Sequence, residues 1–302
     1  MSLYAAIAHL PGRIDTAIIR VIDMSHSRDR SDTHARHAPG RMSLRIGLVT
    51  DIHHGPDVDE RVGSAALTLL RQVTRRMRDD FHPDLIVDLG DRINDTDPAA
   101  DRRRLADVRE IIGDAGVPAL YAFGNHDLIN VADDDARAIL GKTGDYESLD
   151  AGGYHLVVLN TQDPTVDLIG GTLSDAQLDW LERDLAATTR PVLVFTHHPL
   201  DEQDPARHWY FRDHPDHAHA RNRERARTIL AASGRVKAVF NGHMHLNTVE
   251  VIDGIPYLTV MSLVDRAATA EPSGCFAEIR AGAAGAIELT VRGRQSVAVS
   301  FR

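Results

Sequence analysis

Residues 44–53 have the sequence LRIGLVTDIH, an aliphatic run that leads directly to Asp51 and His53. Short runs rich in Val, Ile and Leu are typical of buried strands. Similar runs recur along the chain, with helical patterns between them, at residues 84–90, 117–124, 154–160, 191–197 and 236–242. Strands that alternate with helices predict parallel strands joined by crossover helices, and therefore an α/β fold.

Helical periodicity between these runs predicts the helices of this fold. Apolar side chains recur at helical spacing between residues 62 and 77, which indicates a helix directly after the first strand. Further helices are predicted at residues 98–115, 133–140, 174–187 and 219–233.

After residue 242 the pattern changes to hairpins. The runs TVEVI (248–252) and IPYLTV (255–260) flank Asp253-Gly254, a dipeptide typical of a two-residue turn. Three more strand-like runs follow as a meander within residues 276–301. An α/β half followed by a β-rich half predicts two sheets packed face to face, with the helices outside.

Composition excludes several classes of protein. The chain has 302 residues, 43% hydrophobic and 26% charged, which are ordinary values for a globular protein. Its net charge of −10 argues against general nucleic-acid binding, and no apolar run reaches the about 18 residues of a membrane span. The one cysteine, Cys275, predicts a reducing, cytoplasmic location and excludes a Cys-rich metal site. The 17 histidines are unusual, and histidine is the commonest metal ligand.

The first 41 residues differ from the remainder, which predicts a boundary between residues 1–41 and a main domain at 42–302. Residues 13–23 have the periodicity of a short amphipathic helix, and residues 25–41 are polar and resemble a linker. No signal-peptide pattern is present. Two interpretations stay open: a peripheral arm used in packing or in homodimer contacts, or an over-extended start upstream of Met42.

Polar side chains stand directly after five of the predicted strands. These side chains are Asp51 and His53, Asp91, Asn125 with His126, His197, and His243 with His245. The carboxyl ends of strands in an open α/β sheet line one crevice, so we expect these groups to lie together. Imidazole, carboxylate and amide ligands without thiolate suit manganese, iron, cobalt or zinc. The ligands are too many for one four-coordinate ion, so a shared carboxylate would divide them into two sets.

The five blocks together resemble the signature of the calcineurin-like metallophosphoesterases. The resemblance covers residues 44–250 and implies a four-layer α/β/β/α sandwich that holds two divalent metal ions, manganese, iron or zinc. It implies a first metal bound by Asp51, His53 and His245, with Asp91 as the bridge. It further implies a second metal bound by Asn125, His197 and His243, and His126 as the acid–base or leaving-group-stabilising residue.

This resemblance implies hydrolysis of a small-molecule phosphoester by in-line attack of a metal-bridging hydroxide. Two divalent ions, two carboxylates and one hydroxide leave a charge of about +1, which a monoanionic phosphodiester would neutralise. We therefore expect a phosphodiesterase. A phosphomonoesterase or a nucleotide pyrophosphatase on the same centre is the alternative, and a non-catalytic interaction module is the rival of another class.

One block departs from the pattern of the phosphoprotein phosphatases in this superfamily. Their Gly-Asp-x-x-Asp-Arg-Gly block uses its second Asp to orient the catalytic histidine, and Asn94 stands at that place here. The orienting partner of His126 therefore stays unassigned. The pattern more closely resembles bacterial cyclic-nucleotide and glycerophosphodiester phosphodiesterases, or nucleotide-diphosphate hydrolases.

Residues 201–227 lie between two of the blocks and are rich in Arg, His and aromatic side chains. Such side chains can hold phosphate, sugar and base, so the segment is a candidate specificity cap. The alternative is a solvated loop followed by a charged helix face. Candidate substrate contacts are Trp209 and Arg212 in this segment, and His54 and His198 next to proposed ligands.

Overall fold

The computed structural model describes residues 20–23, 42–266, 270–283 and 285–301. Within them, the strands are β1 (Arg20–Asp23), β2 (Met42–Val49), β3 (Leu85–Asp88), β4 (Ala119–Tyr121), β5 (Glu147–Ala151), β6 (Tyr154–Val158), β7 (Val192–Phe195), β8 (Val236–Asn241), β9 (Thr248–Ile252), β10 (Ile255–Thr259), β11 (Phe276–Gly282), β12 (Ile287–Arg292) and β13 (Val297–Phe301). The α-helices are α1 (Ala66–Arg76), α2 (Pro98–Gly113), α3 (Asn125–Leu128), α4 (Asp133–Leu140), α5 (Asp175–Ala187), α6 (Trp209–Asp213) and α7 (Arg223–Ser233).

These strands form two mixed sheets. The first sheet has the order β1-β13-β12-β11-β2-β3-β4, and the second has the order β5-β6-β7-β8-β10-β9. Strands β2, β3 and β4 run parallel in the first sheet, and β6, β7, β8 and β10 run parallel in the second. The parallel strands place their carboxyl ends along one edge of each sheet.

The β-rich half of the chain is divided between the two sheets. The hairpin β9–β10 extends the second sheet, and the meander β11–β13 joins the first sheet beside β2. Residue Ile279 of β11 lies opposite Ile46 of β2 in an antiparallel register. Pairing with β11 satisfies the backbone groups of β2 that β3 leaves free, and no local pattern records that choice of partner.

The predicted helix at residues 13–23 is wrong over residues 20–23, the part of it that the structure describes. Residues 20–23 form β1, which pairs antiparallel with β13 so that Arg20 lies opposite Ser300. An unpaired edge strand offers hydrogen bonds to any segment that can extend beside it, and this pairing overrides the helical pattern. Residues 13–19 and the predicted linker at 25–41 lie outside the described residues. Residues 20–23 thus contribute a strand to the sheet of the main domain.

The two sheets pack against each other and carry helices on their outer faces. Leu85 and Val87 of β3 point into the core between the sheets, whereas Ile86 between them packs towards α1 and α2. In β7 the alternation is the same: Leu193 points between the sheets, and Val194 packs towards α5 and α7. Alternate side chains of a strand point to opposite faces, so each sheet buries both of its faces. The predicted four-layer α/β/β/α sandwich is confirmed.

A buried ion cluster fixes the turns that follow β3 and β4. Arg92 is fully buried and lies 2.7 Å from Asp88 and 2.6 Å from Asp127. Asp127 also accepts hydrogen bonds from the backbone N–H groups of Asp91 (3.1 Å) and Gly124 (3.0 Å). Because one carboxylate binds both turns, it fixes the distance between the turn after β3 and the turn after β4.

Replacing Asp127 with alanine should therefore destabilise the fold strongly. The change leaves buried backbone donors and part of the Arg92 guanidinium without a partner, and loss of one member of a buried pair costs about 3–5 kcal/mol. Urea denaturation of both proteins measures the free energy of unfolding. Asp213→Ala is the matched control, because its ion pair with Arg212 is exposed and should contribute at most about 1 kcal/mol. Equal losses for the two variants would contradict this role of Asp127.

Candidate metal centre

Seven predicted ligands meet where the strands of both sheets end. Their side chains are buried, and none is more than 9% exposed. They follow five strands of the two sheets: Asp51 and His53 follow β2, Asp91 follows β3, Asn125 begins α3 after β4, His197 follows β7, and His243 and His245 follow β8. The structure thus brings together side chains that are up to 194 residues apart, because parallel strands share one edge.

The side chains form two sets of facing ligand atoms. In the first set, His245 Nε2 lies 3.2 Å from His53 Nε2 and 3.3 Å from Asp51 Oδ1. In the second set, His197 Nε2 lies 3.2 Å from His243 Nδ1. The first set combines two imidazole nitrogens with a carboxylate oxygen. The second combines the nitrogens of His197 and His243, and a ring nitrogen of His198 lies within 4.8 Å of both. Imidazole and carboxylate are ligands of divalent cations such as zinc.

Asp91 lies between the two sets. Its Oδ2 is 3.3 Å from His197 Nε2 of the second set and 3.9 Å from His53 Nε2 of the first. Its Oδ1 accepts a hydrogen bond of 2.8 Å from the backbone N–H of His126, which fixes the carboxylate in this orientation. The position is that of a carboxylate shared by two ions.

Two features of this centre fit bound metal and are costly without it. Asp51, His53, Asp91, His243 and His245 all have left-handed backbones, with φ between 47° and 66°. Left-handed backbone is unfavourable for residues other than glycine and concentrates at functional sites. In addition, the buried Oδ1 atom of Asn125 has no hydrogen-bond partner among the described residues, which leaves it free to bind a cation.

Hydrogen bonds behind the centre orient the imidazole rings. His197 Nδ1 donates to the Leu89 carbonyl at 3.0 Å, and His243 Nε2 donates to the His217 carbonyl at 2.9 Å. Each bond leaves the opposite ring nitrogen free to bind metal. His245 Nδ1 lies 3.2 Å from Asp265 Oδ2, a partner that sequence analysis did not find. Asp265 lies six residues after the end of β10, and a single aspartate gives no motif.

Several side chains of the two sets have pKa values that are shifted from those of exposed groups. Burial opposes a charged ring, but the Asp91 carboxylate outweighs it and raises the pKa of His197 to about 9. Asp51 and Asp265 likewise raise the pKa of His245 to about 10 against the effect of burial. Burial would raise the pKa of Asp91, yet the surrounding imidazoles hold it well below its usual range. The carboxylates therefore attract positive charge into a buried place, which is a condition for metal binding.

His126 has a partner on each ring nitrogen. Its Nδ1 lies 2.5 Å from Asp95 Oδ1, and its Nε2 lies 2.9 Å from Arg61 Nη1. The orienting group that the sequence left open is therefore Asp95, one residue beyond the position compared in the motif. Asn94 instead donates to the Pro56 carbonyl at 2.8 Å and holds the loop that carries Arg61. Neither partner has a motif of its own.

A cavity open to solvent lies over the two sets. Trp209, Tyr210 and Phe211 line one side, and His126 with Arg61 lines another. Trp209 is 46% exposed, so its ring is available to a ligand. Of the candidate substrate contacts, the structure places Trp209 at this cavity.

The three other candidate contacts do not line this cavity. His54 Nε2 lies 3.7 Å from Asp107 on α2. His198 is fully buried, with its ring nitrogens near Thr161 Oγ1 (2.9 Å) and the Ile169 carbonyl (2.8 Å). Arg212 is exposed and contacts Asp213 on the outer side of α6. A polar residue next to a ligand is thus a poor guide to substrate contact, because neighbouring side chains at a turn point in different directions.

Glycines let the turns of this centre approach each other. A Cβ atom on Gly124 would overlap the backbone nitrogen and the carboxylate of Asp91. A Cβ atom on Gly242 would overlap Thr50 Oγ1 and the Asp51 carboxylate. These two glycines are required for close approach.

The chain belongs to the calcineurin-like phosphoesterase family, whose pattern matches residues 44–247. Its class is therefore that of metal-dependent phosphoester hydrolases, and the predicted family is confirmed. A probable cyclic nucleotide phosphodiesterase of Psychrobacter arcticus is 23% identical over 67% of this chain and 74% of its own length. The 3',5'-cyclic adenosine monophosphate phosphodiesterase of Escherichia coli is 29% identical over 68% of this chain and 71% of its own length.

The fold is shared with a solved structure of a dimetal phosphatase from Danio rerio. It has a TM-score of 0.70 and 17% identity, and the match covers 85% of this chain and 98% of that one. The matches with three other curated relatives cover 55% to 59% of the length of those relatives. Among the residues that the structure describes, no helix is long and apolar enough to cross a bilayer.

Proposed function

We propose that this chain hydrolyses phosphodiesters at a dinuclear metal centre, with cyclic nucleotides as its substrate class. The observation that carries the proposal is the position of Asp91 between two facing ligand sets under an open cavity. In this proposal Asp51, His53 and His245 hold one ion. Asn125, His197 and His243 hold the other, and Asp91 holds both.

Two divalent ions, when bound, would act as Lewis acids towards the phosphoryl group. They would also lower the pKa of bound water to a value near neutral pH. The chain itself contributes a proton donor. His126 is held by Asp95 on Nδ1, so that carboxylate can stabilise a positively charged ring while Nε2 faces the cavity. Hydrolysis breaks the bond between phosphorus and the leaving oxygen, and His126 gives that oxygen its proton.

The charge of the cavity wall favours a diester over a monoester. Asp59, Glu60 and Asp265 are acidic residues of the lining, and Arg61 is a permanent cation there. A monoester dianion would meet more repulsion from these carboxylates than a diester, which carries one negative charge. The two cyclic-nucleotide phosphodiesterase relatives agree with this preference.

The alternative is a phosphomonoesterase or nucleotide pyrophosphatase on the same centre. The fold shared with a dimetal phosphatase is compatible with it, since one fold can carry both activities. A non-catalytic module is the weaker rival, because such a protein would have no use for seven filled ligand positions together with His126.

A kinetic screen tests the proposal. Purified protein loaded with Mn²⁺ is assayed with a cyclic nucleotide, a glycerophosphodiester, a nucleotide diphosphate, and matched aryl mono- and diesters. We expect the cyclic nucleotide to have the highest kcat/KM and the aryl diester to exceed the aryl monoester. A preference for the monoester or the nucleotide diphosphate would instead support a phosphomonoesterase or a nucleotide pyrophosphatase. No turnover of any substrate by the metal-loaded protein would reject all of these activities.

The 201–227 segment is proposed as the specificity cap, with Trp209 as its main contact. Stacking of a base on an aromatic ring contributes about 1–3 kcal/mol, so Trp209→Ala should reduce kcat/KM for a cyclic nucleotide roughly 5- to 150-fold. A glycerophosphodiester has no base, and its kcat/KM should change little. Arg212→Ala is the comparison variant, because its side chain points outside the cavity. Equal loss for both substrates would leave the segment as a structural cover.

Three finer properties belong to the same proposal. The native metals are manganese, iron or zinc, since nitrogen and oxygen ligands without thiolate suit these ions; metal analysis of purified protein identifies them. A cytoplasmic location is proposed from the single cysteine and is tested by cell fractionation. A homodimer is proposed, and light scattering of the full chain tests it.

A further inference from the structure

Arg61 provides a positive charge in the lining of the cavity over the candidate metal centre. Among the described residues that line this cavity, it is the one lysine or arginine. Its Nη1 lies 2.9 Å from His126 Nε2, and the His126 ring lies 5.1 Å from the ring of His53, a ligand of the first set. A guanidinium group at this place is within reach of a ligand bound over the two sets.

The backbone around Arg61 is held in place by hydrogen bonds. Arg61 and Val58 exchange backbone hydrogen bonds of 2.9 and 3.0 Å, and Val62 N–H donates to the Val264 carbonyl at 3.1 Å. Arg266 N–H also donates to the Glu60 carbonyl at 2.8 Å. The backbone of the loop that carries Arg61 is therefore already ordered by hydrogen bonds. This reduces the conformational entropy that is lost when Arg61 binds a ligand.

Among the described residues, no carboxylate lies within hydrogen-bond distance of the Arg61 guanidinium. Its ion pair with Asp59 is long, at 4.0 Å, and Asp59 is 56% exposed, so solvent screens the interaction. Arginine has no acceptor atom, so the contact with His126 requires Nε2 to accept and Nδ1 to donate to Asp95. The guanidinium thus holds the nitrogen from which His126 would protonate a leaving group.

We propose that Arg61 is the side chain that binds the non-bridging oxygen of the phosphoester and that, before substrate binds, it occupies His126 Nε2. A phosphoryl oxygen accepts more strongly from a guanidinium than a neutral imidazole does, since the bond is then between opposite charges. Arrival of the phosphate therefore transfers Arg61 from His126 to the substrate. Nε2 then becomes free and takes up a proton from water, and the charged ring gives that proton to the leaving oxygen. This inference rests on the proposed function, to which it adds the phosphate-binding residue.

Phosphate affinity tests the proposal without turnover. Inorganic phosphate is titrated calorimetrically into metal-loaded wild type, Arg61→Ala, Arg61→Lys and Arg103→Ala. Arg61→Ala loses a charge-assisted hydrogen bond to phosphate, so its affinity for phosphate should be roughly 10- to 100-fold lower than that of wild type. Arg61→Lys keeps the charge but not the paired donors, so it should recover part of the affinity. Arg103 is exposed on α2 outside the cavity, so Arg103→Ala controls for net charge and should bind as wild type does.

Steady-state kinetics with an aryl phosphodiester give a second measurement. We expect KM to rise with the loss of phosphate affinity in Arg61→Ala, and kcat to fall less. Phosphate affinity and KM within twofold of wild type would overturn the proposal. Metal content and melting temperature identify a misfolded variant, in which case Arg61→Lys decides by the same criterion. A wild type that binds phosphate through Arg61 but hydrolyses no phosphoester would instead reject the proposed function.

Discussion

Replacing Asp91 with alanine should remove both metal ions and reduce kcat by more than about 10⁴-fold, beyond the range expected for loss of one acid–base group. The physical reason is its position: Oδ2 faces ligands of both sets, at 3.3 and 3.9 Å. Without this carboxylate, Asp51 is the only anionic side chain left among the proposed ligands, and no ligand bridges the two cations to offset their mutual repulsion. Metal content after reconstitution and turnover of an aryl diester measure the effect.

Asn125→Ala is the matched control for Asp91→Ala. Asn125 is equally buried, at 1% exposed, and in the proposal it holds only the second ion. We expect this variant to keep close to one equivalent of metal. If Asp91→Ala retained as much metal as Asn125→Ala, Asp91 would not be shared between two ions.

Replacing His126 with alanine should have the second-largest effect on activity. We expect kcat to fall by roughly 10²–10⁴-fold, as for loss of an acid–base group, while both metals remain bound. The ring contacts Asp95 and Arg61 instead of belonging to either facing set, so its removal leaves the seven proposed ligands in place. Metal analysis and the kcat for an aryl diester separate the two effects.

His155→Ala is the control for general effects of removing a histidine. His155 lies on β6 and pairs with Asp150 and Asp184, both at 2.8 Å, away from the centre. Its replacement should leave kcat unchanged. Loss of metal from His126→Ala would contradict the proposed division between metal ligands and proton donor.

The sequence predicted the central strands and most helices because their patterns are local. Helix α4 has the predicted bounds, and α5 begins one residue after the predicted start, where the Ser174 hydroxyl accepts from the Gln177 N–H at 3.1 Å. The predicted start at 219 was too early for α7, which begins at Arg223. Strand β1 was predicted as helix because its extended form depends on pairing with β13.

The residues of the candidate metal centre were located from local patterns as well. Each ligand follows a strand directly, so Asp51, Asp91 and His197 could be located from the strand patterns alone. Parallel strands share one edge, and this rule brings the blocks together without knowledge of the full topology. The groups that orient the ligands are different: Asp265 and Asp95 contact His245 and His126 through turns whose paths no periodicity describes.

The sequence by itself determined the fold class, the family and the group of residues that meet at the strand ends. These depend on short-range patterns and on chemistry that each residue carries with it. Only the tertiary structure decided that β11–β13 complete the first sheet, that Asp95 orients His126, and that Arg61 lies over the centre while Arg212 points away. The physical reason is that sheet partners and side-chain directions at turns depend on contacts between distant segments, which pairing and packing select together.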